Sequence, residues 1–350
     1  MTKIVKIGNL KIGGSNPVRI KGMLKTLTKD TKNLIKEART LESEGAEAIR
    51  VAVKEKKDAK LAKLLKKHIS IPLVADIHFN SSLGLLAIKE GFPGIRLNPL
   101  NIYHKKDVSK IAAMAREYGV SVRIGVNSGG FKKDFFSPQD LAEEMVKKVE
   151  DYLKILEAEK LFDIMVSMKG SDVISTIVAN RIFSKRHDYP LHLGITASGP
   201  FLEGITKSSV GLGSLLNSGI GSIIRVSLTA PSYLEVRVAK HILEALNLRR
   251  FGPEIISCPT CSRCEANLIK IVDSFKKRLQ ASGFKKNLRI AIMGCVVNGP
   301  GEAYQADIGA AFGKKKAVIF KKDKILKISD ENKIITDLLR EVKKYGFEQN

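Results

Sequence analysis

Three cysteines crowd into the stretch "SCPTCSRCEAN", where Cys258, Cys261 and Cys264 have C-x2-C-x2-C spacing, and a fourth, Cys295, stands apart in "MGCVVNGPGEA". Thiolates are soft ligands for iron–sulfur clusters or structural zinc, and close spacing lets a short loop offer several sulfurs to one centre. In a reducing compartment such a cluster reads as metal-binding or catalytic rather than as disulfides. Spacing alone leaves iron–sulfur, zinc and incidental cysteines all open. After Cys295 an Asn-Gly-Pro-Gly turn can reverse the chain, so that Glu302 swings back toward the same place. The plainer alternative is a hairpin with a surface glutamate.

A second set of residues is cationic. Arg50, Arg96, Arg123 and Arg225 each interrupt an apolar run, near the C-terminal end of an expected strand. A charge buried in a strand is costly unless paired. Asp76 can neutralise one arginine but not four, so an anionic ligand is expected, and the planar guanidinium suits phosphate oxygens. Lys169, Asn98, Asn127, Ser128, Ser167, Thr196, Ser198, Ser227 and Thr229 fall at equivalent strand ends. His78, two residues beyond Asp76, reads as a phosphate donor or an acid–base group. His68, His104, His187 and His241 read as surface or packing residues. His192 reads the same way, because it falls early in its strand.

Positioning these groups requires a repeating scaffold. Eight short apolar runs, "VRIKGM", "EAIRVAV", "PLVADI", "GIRLNP", "SVRIGV", "DIMVSM", "LHLGIT" and "SIIRVSL", alternate with amphipathic helical patterns. One such helix, "DLAEEMVKKVEDYLKILEAEK", is entered at Ser137-Pro138, an N-cap followed by proline. Strands alternating with helices imply a parallel sheet, and eight units fit a closed TIM (β/α)8 barrel, which carries its site at the C-terminal strand ends. The glycine-rich "GLGSLL" lacks a third glycine and a leading strand, so a dinucleotide fold is disfavoured. A Gly-Pro break in "FGPE" divides residues 1–250, the barrel, from 251–350, a small α/β domain that carries the cysteines.

With 60 Lys and Arg against 36 Asp and Glu, the net charge is +24. The lysines are spread along helices, there is no tryptophan, and aromatics are 6% of the chain. Stacking platforms for bases are therefore scarce, and a solvated basic surface that attracts small anions is expected rather than a nucleic-acid footprint. No apolar run is long enough for a signal peptide or a membrane span, so a soluble cytoplasmic protein with no membrane partner is expected.

The stretches "LVADIHF", "GIRLNP", "RIGVNSG", "IRVSLT", "SCPTCSR" and "MGCVVNGPGEAYQADIG" together, in this order over nearly the whole chain, resemble the 4-hydroxy-3-methylbut-2-enyl diphosphate synthases of the non-mevalonate isoprenoid pathway, in their bacterial two-domain form. The resemblance implies a TIM barrel followed by an iron–sulfur domain, with a [4Fe–4S] cluster on Cys258, Cys261, Cys295 and Glu302, and with Cys264 surplus. It implies reductive opening of 2-C-methyl-D-erythritol 2,4-cyclodiphosphate, with ferredoxin or flavodoxin as electron donor and a homodimer as the working form. Arg50, Arg96, Arg123, Lys169 and Arg225 would then bind the diphosphate, assisted by Asn127 and Ser227. Asp76, His78 and Glu302 are the candidate catalytic groups. A diverged homologue acting on another diphosphate, a noncatalytic iron–sulfur sensor and a zinc-stapled aldolase-like barrel are the alternatives. Two places depart from the family. Ala197, in "LGITASGP", stands where the family has a glutamate thought to assist proton transfer, and "IKGMLKT" replaces a more polar "QSMTNT"-like segment.

Overall fold

A computed structural model describes residues 1–131, 134–264, 266–295, 303–321 and 324–348. The chain divides into two compact units, Met1–Arg249 and Arg250–Asn350.

The first unit opens with a hairpin, β1 (Val5–Ile7) and β2 (Leu10–Ile12). Eight parallel strands follow: β3 (Arg19–Met23), β4 (Ala48–Val53), β5 (Leu73–Ile77), β6 (Gly94–Leu97), β7 (Ser121–Asn127), β8 (Ile164–Lys169), β9 (His192–Leu193) and β10 (Ile223–Ile224). Their order is β8-β7-β6-β5-β4-β3-β10-β9. A parallel bridge from Val166 of β8 to Leu191, just before β9, closes the cylinder. All eight expected strands are present. β5 is buried at every position because one face meets the barrel interior and the other the surrounding helices. The helices start where local chemistry allows. Asp30 caps Thr31–Ser43, Ser137 caps Pro138–Ala158 and Asp172 caps Val173–Arg186, each side chain accepting a backbone N–H of the first turn.

The hairpin was not foreseen, since strands of three residues are too short to display an alternation. Val5, Ile7 and Ile12 are fully buried against Val74, Met165 and Ile223, low in the barrel strands. They plug the N-terminal end of the cylinder and leave the opposite end for chemistry.

The second unit is a five-stranded sheet in the order β11-β12-β13-β14-β15. β11 (Glu254–Ser257), β12 (Arg289–Met293) and β13 (Ile308–Phe312) run parallel, and β14 (Lys316–Lys321) and β15 (Lys324–Asp330) return antiparallel. The helices Leu268–Ala281 and Ile334–Glu348 supply Leu268, Phe275, Leu279, Leu338 and Val342 to a core with Ile290, Ile292 and Ile308. Among the described residues no helix is long and apolar enough to cross a membrane.

If the hairpin is the barrel's floor, Ile7→Ala should remove about 2–5 kcal/mol of stability through the cavity it leaves. Urea denaturation measures this, and a loss under about 0.5 kcal/mol would mean the hairpin is only laid against the barrel.

Candidate active site

Inside the cylinder the sequence places charge where barrels normally keep apolar side chains. Lys21 on β3, Arg50 on β4, Arg96 on β6, Arg123 on β7, Lys169 at the end of β8 and Arg225 just beyond β10 all belong to this set. Lys21, Arg96, Arg123 and Lys169 are buried, and the side chains of Arg50 and Arg225 are 14% and 15% exposed. Two carboxylates face them. Asp76 on β5 lies 3.6 Å from Arg50 Nε, 3.4 Å from Arg96 Nη1 and 3.3 Å from His78 Nε2. Glu235, from the helix Ser232–Ala245, is 3.6 Å from Arg225 Nη2 and 2.8 Å from Lys25 Nζ.

Further bonds from these cations go to neutral groups. Arg96 Nη2 donates to the Gly125 carbonyl at 2.7 Å, and Arg50 Nε donates to Met23 Sδ at 3.2 Å. Arg123 bonds His192 Nδ1, and Lys169 Nζ is 3.3 Å from His192 Nε2. The buried Nε atoms of Arg96, Arg123 and Arg225 have no hydrogen-bond partner among the described residues. Glycine makes room for this crowd. A Cβ on Gly194, next to β9, would stand 2.6 Å from Lys169 Nζ.

The electrostatics follow from burial and like charge. Burial, then Arg123 and Arg50, push Lys21 well below the ordinary lysine range. Burial, then Lys169 and Arg123, hold His192 neutral. Burial and Arg50 bring Arg225 down to about 10. Burial alone would raise Asp76, but Arg50, the His78 hydrogen bond and Arg96 outweigh it and hold the carboxyl well below its usual range.

Three expectations need correction. Arg96 is near the C-terminal end of β6 as expected, but Arg50 and Arg123 sit in the middle of their strands, deeper than expected, because each takes an inward position of the alternation rather than the last one. Arginine partners include an acid from a helix, Glu235, which strand composition could not reveal. His192 is not a surface or packing residue, since both ring nitrogens face cations of the cluster. Lys21 was passed over although it breaks an apolar strand just as the arginines do.

At the C-terminal ends of the strands a cavity of about 360 Å³ is lined by His78, Arg96, Asn98, Asn127, Thr196 and Ala197 among others. Ser227 does not line it; its carbonyl accepts from Ser198 Oγ. Ala197 is exposed with φ +47°, a left-handed conformation uncommon for a residue with a Cβ. A larger space of about 1080 Å³ opens near the opposite end, beside Leu191 and Ser222. The smaller one is the candidate site, because Arg96 of the buried cluster lines it and it lies at the C-terminal strand ends.

In the second unit, parallel register pairs Ser257 with Ile292, so the chain leaving β11 and the chain leaving β12 run side by side. Cys258 and Cys295 therefore emerge together. Cys258 Sγ accepts the Gly294 N–H at 3.2 Å, and Cys264 Sγ donates to the Ala266 carbonyl at 3.2 Å. A Cβ on Gly294 would collide with Cys264 Sγ and lie 3.3 Å from Cys258 Sγ. Cys261 is exposed. Among the described residues no three His, Cys, Asp or Glu are gathered as a metal site, and Glu302 lies outside the described residues. None of the four cysteines is in a disulfide. Among the described residues the donors in this region are thiols, and with a backbone N–H aimed at one sulfur they fit a soft iron–sulfur group.

Asp76→Asn should cost about 3–5 kcal/mol in the absence of ligand, because it leaves Arg50 and Arg96 without their charged partner. A carboxyl held low in the folded state contributes stability above its unfolded range and loses it as pH falls. The gap between wild type and variant in denaturant titrations should therefore close below about pH 4. A gap independent of pH would remove Asp76 from the centre of the network.

Comparison with known proteins follows the same division. Residues 2–240 match the GcpE TIM-barrel domain and residues 254–344 the GcpE protein C-terminal domain. A 4-hydroxy-3-methylbut-2-en-1-yl diphosphate synthase (flavodoxin) from Caldanaerobacter subterraneus subsp. tengcongensis is 45% identical over 100% of this chain and 98% of that protein. The protein of the same description from Thermodesulfovibrio yellowstonii is 46% identical over 98% of each. Among solved structures, Yersinia pestis dihydropteroate synthase superposes with TM-score 0.53 at 14% identity, covering 70% of this chain and 99% of its own. A type I 3-dehydroquinate dehydratase from Clostridium difficile gives 0.52 at 18%, covering 71% and 98%. At such identities these two share the fold alone. Matched in both domains and along its length, the chain belongs to the GcpE family of iron–sulfur oxidoreductases.

Proposed function

We propose that this chain carries out the reaction named for its relatives, the reductive ring opening of 2-C-methyl-D-erythritol 2,4-cyclodiphosphate to 4-hydroxy-3-methylbut-2-enyl diphosphate in the non-mevalonate isoprenoid pathway. The observation that carries this reading is the excess of basic groups inside the barrel: six, four of them buried, against two carboxylates, with an unpartnered guanidinium nitrogen on three of them. Such an interior is stabilised when an anion of matching charge enters it. Arg50, Arg96, Arg123, Lys169 and Arg225 bind the ring phosphates, and Asn127 and His78 add hydrogen bonds at the mouth. Ser227 belongs to the same set. Fixed cations also favour the negative charge that develops on the phosphate oxygen as its bond to carbon breaks.

A [4Fe–4S] cluster on Cys258, Cys261 and Cys295, with Glu302 as the fourth ligand, would supply two electrons, and a carboxylate ligand is readily exchanged for a substrate oxygen. Cys264 is the surplus thiol, held back by its bond to Ala266. Flavodoxin, named in the relatives, is the electron donor that fits a basic protein of net charge +24, and the working form is a cytoplasmic homodimer. In this assignment residues 1–250 form the substrate domain and 251–350 the cluster domain.

Anaerobically purified protein should carry iron and sulfide and turn over the cyclodiphosphate with a strong artificial reductant. Loading should fail in Cys258→Ser, Cys261→Ser and Cys295→Ser and persist in Cys264→Ser. If Ala197 slows proton transfer, Ala197→Glu should raise kcat, by up to about 10²–10⁴-fold. A loaded cluster with no turnover in either form would overturn the assignment in favour of a sensor or another diphosphate substrate. Zinc in place of iron would overturn the redox chemistry altogether.

A further inference from the structure

Donor counting at His192 fixes the protonation of its neighbours. A guanidinium has hydrogens to give and no lone pair to offer, so Arg123 donates and His192 Nδ1 accepts. The one hydrogen of the neutral ring is then on Nε2. Lys169 Nζ lies 3.3 Å from Nε2. An ammonium there would set two donors against each other, whereas a neutral amine accepts the Nε2–H. An imidazolium would meet the same conflict with Arg123.

The surroundings agree. Lys169 is buried, and the strongest charges acting on it are Arg123 of β7, Arg225 just beyond β10, Arg50 of β4 and Lys21 of β3. Asp76 is occupied by Arg50, Arg96 and His78. Burial first, then these cations, push Lys169 well below the ordinary lysine range. Its strand ends beside the cavity, for Thr196 N–H donates to the Gly170 carbonyl at 3.0 Å and brings the Ala197 loop alongside. The strand end that carries Lys169 thus stands beside the Ala197 loop, while its amine lies inside against His192.

We propose that Lys169 is the proton carrier of the ring opening: it rests as a neutral amine on His192, takes up one proton when the cyclodiphosphate enters, and gives it to the hydroxyl that leaves as water. This rests on the function proposed above. The stoichiometry closes on one proton, since the substrate dianion plus two electrons and one proton equals the product trianion plus water. The bond from carbon to the ring phosphate oxygen breaks with its pair on oxygen. The two electrons become the new carbon–carbon double bond as the neighbouring hydroxyl departs with its own bonding pair. Lys169 protonates that hydroxyl and is neutral again when the product leaves. His192 is a positioning residue that holds the amine.

Binding of the cyclodiphosphate to the cluster-loaded protein without reductant isolates the uptake step. Each phosphorus of the cyclic ligand has a single acidic oxygen, ionised far below neutral pH, so any proton taken up goes to the protein. Calorimetry near neutral pH, in buffers of low and high ionisation enthalpy, should find uptake that falls by about one proton per ligand in Lys169→Arg, which binds but is always charged. Wild-type affinity should weaken about tenfold per pH unit between the resting and the bound pKa of Lys169, and less steeply in the variant. Uptake unchanged in Lys169→Arg would assign the proton to another group of the cluster, Lys21 or His192, and overturn the proposal. Binding without uptake would overturn it while leaving the diphosphate site intact. No binding by wild type would overturn the functional assignment itself, and this proposal with it.

Discussion

Everything in the barrel is organised by one electrostatic imbalance. Lys21, Arg50, Arg96, Arg123, Lys169 and Arg225 share an interior with Asp76 and Glu235, and the second acid is shared with Lys25. An apolar interior does not hold charges of one sign without compensation. The protein uses three means to hold them: bonds to neutral acceptors such as the Gly125 carbonyl and Met23 Sδ, depression of the lysines toward neutrality, and guanidinium edges left open. All three leave the empty barrel less favourable than the filled one. That difference is the source of affinity for a compact anion.

Rigidity elsewhere keeps the imbalance in place. The hairpin plug and the surrounding helices bury Ile7, Val74 and Ile223 with no exposed area to lose, so the cations cannot relax toward the N-terminal end. At the mouth, His78 and Asn127 line the cavity that Arg96 reaches. The second unit works on a different principle. There the parallel register of β11 and β12, and the absence of a side chain at Gly294, let the segment after β11 bring the sulfurs of Cys258 and Cys264 up to the end of β12, where Cys295 follows. One site selects by charge and the other by softness.

The two departures from the family become intelligible together. "IKGMLKT" contributes Lys21 to the buried cluster and Lys25 to the Glu235 pair, so it adds positive charge inside and at the rim. Ala197 offers no acid at the mouth. Lys21, with Arg123, Arg225 and Arg50, favours a neutral Lys169 by like-charge repulsion.

The sequence by itself determined the architecture. Eight β-branched runs alternating with capped helices leave little choice but a parallel barrel, and C-x2-C-x2-C with a distal cysteine marks a thiolate site whatever the metal. It also exposed Arg50, Arg96, Arg123 and Arg225, because a charge inside an apolar strand is conspicuous in one dimension. What only the tertiary structure decided is who meets whom. Glu235 reaches Arg225 from a helix, and His192 bridges Arg123 and Lys169 across separate strands. These are contacts between distant segments, and local periodicity carries no information about them. The protonation of Lys169 is of the same kind, since it depends on burial and on four cations that only barrel closure brings together.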